Sequence, residues 1–176
     1  MTTATFRAAA FRAVWQHLDL GAMPLVLHVE DAPAPWDELV RGGLARGGEV
    51  DPWLVGACKL LATPPRSADL RLGIGSSAVR ALAASAGSGV VLAVLRGDAV
   101  TVRELPRADV PSALVGLLPR EGDRVGAAEL RGRFGAAVLD ASGRRRRAQD
   151  VVDFHGLVGA DVLRARLAAL LDGLSG

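Results

Sequence analysis

The stretch whose reading decides the fold is residues 69–105, DLRLGIGSSAVRALAASAGSGVVLAVLRGDAVTVREL. Its first segment, 69–74, sets Leu70, Leu72 and Ile74 at alternate positions, the period of two that a half-buried strand requires. Segment 79–85 is small and mixed, and 89–95 (GVVLAVL) is apolar on both faces, which places it in the middle of a sheet. Arg96, Gly97 and Asp98 supply a tight turn into 100–105, so the last two segments read as an antiparallel hairpin. The run Gly73, Ile74, Gly75, Ser76, Ser77 offers glycines to an anion. It lacks the lysine of a P-loop and the third glycine of a dinucleotide fingerprint, and it leads into a strand, so it reads as a turn between strands.

Toward the N-terminus, Asp51 and Pro52 form a helix start: the carboxylate can accept backbone N–H bonds, and the missing proline donor costs nothing in the first turn. Trp53, Leu54, Ala57, Leu60 and Leu61 carry that helix to Pro64 and Pro65. A weaker helix is expected over 36–44, a short strand over 25–29, and a helix over 8–18. In the last of these, Phe11, Val14, Trp15 and Leu18 share one face while Arg12, Gln16 and Asp19 are left for solvent. Toward the C-terminus, Asp109 caps a brief helix through Leu118, and 121–126 is the best internal boundary, being charged and glycine-containing. Strands are expected over 132–139 and 145–154, joined by the turn residues Asp140, Ala141, Ser142 and Gly143, and a leucine-striped helix over 161–174. Two runs of antiparallel strands, each followed by a helix, imply an α+β fold whose sheet is covered largely on one face.

The chain has 176 residues, half of them hydrophobic and 23% charged, which suits one domain with a sizeable core and excludes disorder as the dominant state. Net charge is only +2 and nearly all the bases are arginine, with Lys59 the lone lysine, so there is no general field for nucleic acid. No apolar run approaches the ~20 residues that span a bilayer, so membrane insertion is not expected. Residues 1–12 hold no signal-length apolar stretch and Cys58 has no internal disulfide partner, which together point to a cytoplasmic protein.

Catalysis and metal binding need converging groups, and the pattern supplies none. His17, His28 and His155 have no recognisable ligand spacing, and Cys58 sits among Ala57, Leu60 and Leu61 as a small buried hydrophobe would. No catalytic, metal or cofactor site is therefore expected. The run Arg144, Arg145, Arg146, Arg147 is the strongest charge feature, but a strand shares it between two faces. It reads as a charge-guarded edge strand, with no specific nucleic-acid binding. What remains is a protein that binds something.

Three stretches carry a family resemblance. Residues 11–27, FRAVWQHLDLGAMPLVL, are similar to the opening helix, leucine-glycine turn and proline-led strand of the EspG family, the ESX (type VII) secretion-associated proteins of high-GC bacteria. Residues 51–118, with DPWLVGACKLLATP, LRLGIG, VRALAASAGSGVVLAVLRGDAVTV and ALVGLLP, resemble its central helix, sheet and following helix in order. Residues 132–154, GRFGAAVLDASGRRRRAQDVVDF, look like its second-half hairpin, arginine run included. The chain is identified as a short, divergent member, since family members generally carry a helical segment where this one has a charged loop between Leu118 and Phe134.

The resemblance implies an antiparallel sheet flanked by helices, in two sheet-plus-helix halves with a rough internal twofold. It implies a single EspG-like domain over 1–176, with one half at about 1–119 and the other at about 127–176. It further implies a cytosolic, non-enzymatic chaperone for helical PE/PPE-like type VII secretion substrates, with client contact at the loop Gly75, Ser76 and Ser77. The alternative is a self-assembling structural protein, a homodimer covering the apolar surface that a shortened middle segment would expose.

Overall fold

Strands β4 (Arg66–Ile74), β5 (Ser77–Ser85), β6 (Val90–Arg96) and β7 (Ala99–Leu105) form the antiparallel meander that the alternation at 69–105 predicts. They belong to a computed structural model that describes residues 2–30, 36–74, 77–87, 89–106, 108, 110–117, 131–139 and 145–148. The β6–β7 connection is a two-residue turn bracketed by the pair Arg96 and Ala99. Gly97 takes φ +57 there, the positive angle that the first residue of such a turn needs and that a Cβ would strain.

Among the described residues the sheet has seven strands in the order β1-β7-β6-β5-β4-β8-β9. Strand β1 (Thr3–Arg7), which the pattern did not predict, closes one side by pairing Thr3 with Arg103 and Arg7 with Ala99. On the other side, β8 (Arg131–Leu139) pairs with β4 from Arg66 opposite Val138 to Gly73 opposite Arg131, and β9 (Arg145–Ala148) follows β8. The second strand run therefore extends the first sheet. It satisfies the ladder of β4, whose backbone groups would otherwise be an exposed edge.

Helices α1 (Ala8–His17), α2 (Trp36–Arg41) and α3 (Pro52–Ala62) supply much of the main core. Asp51 caps α3 as its sequence predicts, accepting from Trp53 N at 2.9 Å. Phe6 stacks on Phe11 with ring centroids 5.8 Å apart, Phe11 meets Trp15 at a tilt with centroids 5.7 Å apart, and Trp15 Nε1 donates to the Gly21 carbonyl at 3.0 Å. Leu82, Ala84, Val91, Ala93, Leu95, Val100 and Val102 face these helices from the sheet. A two-strand hairpin, β2 (Ala45–Arg46) with β3 (Glu49–Val50), leads into α3.

Coverage is not confined to that face. The alternate sheet positions Ala68, Leu70, Val79, Ala81, Ala83, Val90 and Leu92 are buried too, together with Val110, Ala113 and Leu114 of α4 (Val110–Val115), which packs across β4, β5 and β6. The continuous apolar character of β6 follows from this double coverage.

The expected strand at 25–29 is a 3₁₀ turn at Leu25–Leu27 that lies across β4, β5 and β6. Its LVLHV sequence has no alternation, and it buries Val26 and Leu27 while leaving Leu25 71% exposed, as a segment crossing a sheet face must. The helix expected over 161–174, the boundary at 121–126 and the end of the strand expected over 145–154 lie outside the described residues. No helix among the described residues is long and apolar enough to cross a membrane.

Candidate functional site

Of the three turn residues singled out by resemblance, Ser77 is the first residue of β5, opposite Ile74; Gly75 and Ser76 lie outside the described residues. Running back from that hairpin end, Gly73 pairs with Ala78, Leu72 with Val79 and Arg71 with Arg80. Cross-strand partners share a face. Val79 is buried on the α4 side, so Arg71 and Arg80 fall on the side of the 3₁₀ turn.

Arg80 Nη1 donates to the His28 carbonyl at 3.1 Å, and Arg12 Nη1, from α1, donates to the Val29 carbonyl at 2.7 Å. Two guanidiniums from different elements thus hold consecutive carbonyls and pin the segment after the 3₁₀ turn to the sheet. Arg12, expected in solvent, is half-buried by this role. Arg71 stays at the surface, its side chain 47% exposed and its Nε 4.0 Å from Asp69 Oδ2. Neither Arg71 nor Arg80 stood out in the sequence, yet a signal existed: both lie three residues from the ends of the 75–76 turn, so the hairpin register makes them partners.

Elsewhere the chemistry is quiet. Cys58 is fully buried in the main core, and burial pushes its thiol up to about 12, so it is no nucleophile at neutral pH. The His17 ring lies 4.7 Å from that of Trp36, His28 is exposed beside Arg80, and His155 is outside the described residues. No group of three or more His, Cys, Asp or Glu side chains among the described residues could hold a metal. Arg145, Arg146 and Arg147 stand in β9, the last strand of the sheet order among the described residues.

These features define an α+β protein built on one antiparallel sheet, whose described surface offers a hairpin end flanked by arginines. Residues 7–129 match the model of the EspG family, and the chain belongs to that family. Among solved structures it is similar to the Mycobacterium tuberculosis type VII secretion system chaperone EspG5, determined in complex with a PE25–PPE41 dimer. That match has a TM-score of 0.63 at 16% identity and covers 97% of this chain and 96% of the other, a likeness of fold. No curated protein sequence matches the chain.

Proposed function

We propose that this protein is a cytosolic chaperone or adaptor of a type VII secretion system, holding a helical PE/PPE-like substrate soluble before export. The observation that carries the reading is membership of the EspG family over residues 7–129, joined to a fold shared with a chaperone that was solved on its PE25–PPE41 substrate. No chemical step is assigned to it. A helix docked on a sheet or groove needs apolar anchors and a few polar contacts, not a catalytic constellation.

The contact surface takes in the β4–β5 hairpin end and the residues Gly75, Ser76 and Ser77. The chain works as one domain over 1–176, with halves at about 1–119 and 127–176. A specific contact of this kind buries about 1,200–2,000 Å² in total.

Co-expression with a small helical secretion substrate tests the reading. The substrate's soluble yield should rise and the two chains should co-purify. Replacing Ser76 and Ser77 by glutamate should weaken the complex while leaving the chaperone folded, because the end of a hairpin tolerates such changes better than the middle of a strand does. Helical substrates that remain insoluble and unbound throughout a panel would refute the function. Binding that survives both substitutions unchanged would refute the surface.

A further inference from the structure

The register of the central sheet brings together three arginines, two from one hairpin and a third more than fifty residues further along the chain. Arg71 of β4 is opposite Arg80 of β5 on one side and opposite Arg133 of β8 on the other. Three neighbouring strands thus carry one arginine each in a single row across the sheet. Like charges directly opposite one another destabilise a sheet, so the row works against folding. The nearest carboxylate the structure sets against it is Asp69, at 4.0 Å from Arg71. Arg80 spends one N–H on the His28 carbonyl, and a guanidinium has five.

Resting on the chaperone reading, we infer that this row docks a carboxylate-bearing face of a helical partner laid across the strands. The spacing carries the argument. Adjacent strands lie about 4.8 Å apart, so the row's three backbone positions span about 10 Å. Acidic residues at i, i+4 and i+7 of an α-helix share one face and span about 10.5 Å at 1.5 Å per residue. Each carboxylate then meets one strand's arginine, and Arg favours such pairs because its planar fork binds a carboxylate through two parallel bonds. The 3₁₀ turn that lies across β4, β5 and β6, and whose following residue His28 accepts from Arg80, carries Leu25, the most exposed large hydrophobic among the described residues. The surface therefore fits an amphipathic helix with an acidic stripe and an apolar residue beside it. A nucleic acid fits less well, because one short row in a chain of net charge +2 cannot follow a phosphate backbone.

The probe is a fluorescein-labelled, alanine-rich helical peptide carrying glutamate at i, i+4 and i+7 and one leucine, read by anisotropy against the full-length protein. Two control peptides carry glutamine at those positions, or the same glutamates moved to different faces. The glutamate peptide should bind at least tenfold more tightly than either control. Arg71→Glu and Arg80→Glu should each weaken it at least tenfold, and Arg71→Ser less so. Arg7→Glu, in the strand at the other side of the sheet, should change it less than twofold.

Equal binding of all three peptides, no binding of the glutamate peptide up to millimolar protein, or unchanged binding by the row variants would overturn the proposal. So would tighter binding of a single-stranded oligonucleotide that the row variants abolish. Co-expression separates this inference from the function it rests on. A double variant, Arg71→Glu with Arg80→Glu, that solubilises a substrate as well as the wild-type protein does leaves the chaperone reading standing and removes the row. A protein that binds the acidic peptide through the row but solubilises no substrate does the reverse.

Discussion

Replacing Arg71 by threonine should stabilise the protein, although it deletes the Asp69 contact. Arg71 is flanked by Arg80 and Arg133 in register, and cross-strand Cβ atoms lie about 5 Å apart. At the surface, two unit charges about 6.5 Å apart in water repel by roughly 0.6 kcal/mol, so relieving both neighbours returns about 1 kcal/mol. The ion pair lost with Asp69 is long, at 4.0 Å, and its members are 47% and 31% exposed, which limits its worth to a few tenths. Threonine also suits a strand better than arginine does. The balance is a gain of about 0.5–1 kcal/mol, or about 1–4 °C in Tm for a domain of this size. Urea denaturation at 0.1 M and 1 M NaCl supplies the assay. The gain should shrink toward zero at high salt, where the Debye length falls from about 10 to about 3 Å. A loss of 1 kcal/mol or more, or a gain indifferent to salt, would refute the picture of a repulsive row kept for binding.

Removing the α3 cap with Asp51→Ala frees Trp53 N and should cost about 1 kcal/mol in the same urea series, with Asp51→Asn costing much less. Leu54→Ala, at a fully buried site in the first turn of the same helix, should cost about 2–5 kcal/mol. Cys58 should resist a thiol reagent at pH 8 and react at once in guanidinium, because raising its pKa from 9.0 to about 12 leaves about a thousandfold less thiolate in the native state. The same shift fixes a sign: the native state holds the proton more tightly, so this contribution is complete below about pH 9 and is lost as pH rises toward about 12. Rapid native-state labelling would show that the site opens.

Local signals carried the elements whose information is contained in a few residues. The helix at Pro52–Ala62 begins where Asp51 and Pro52 say it should, and the alternation at Leu70 and Leu72 and the apolar run of β6 mark strands within a few residues of their observed ends. Strand β1 escaped notice because TATFR offers only Ala4 and Phe6 as apolar alternates, and its partner β7 is almost a hundred residues away. A short apolar run such as 25–29 suits either a buried strand or a buried turn, and only its position across β4, β5 and β6 distinguishes them. Of the candidate surface, the hairpin end was visible in the glycines and serines of 73–77. The pairing of Arg71 with Arg80 was implicit in that turn, but it has no meaning until the register is known.

By itself the sequence determined the periodic elements, the tight turn at Arg96, Gly97 and Asp98, the absence of a clustered nucleophile or ligand pattern, and the likeness to the EspG family. Each depends on residues close together in the chain, where side-chain period and turn geometry act directly. Tertiary structure alone decided that β1 joins β7, that β8 extends the sheet at β4, that both sheet faces are covered, and that Arg133 completes a row with Arg71 and Arg80. Those outcomes turn on which open sheet edge and which bare face remain to be satisfied once the local elements have formed, and no short window of sequence contains that information.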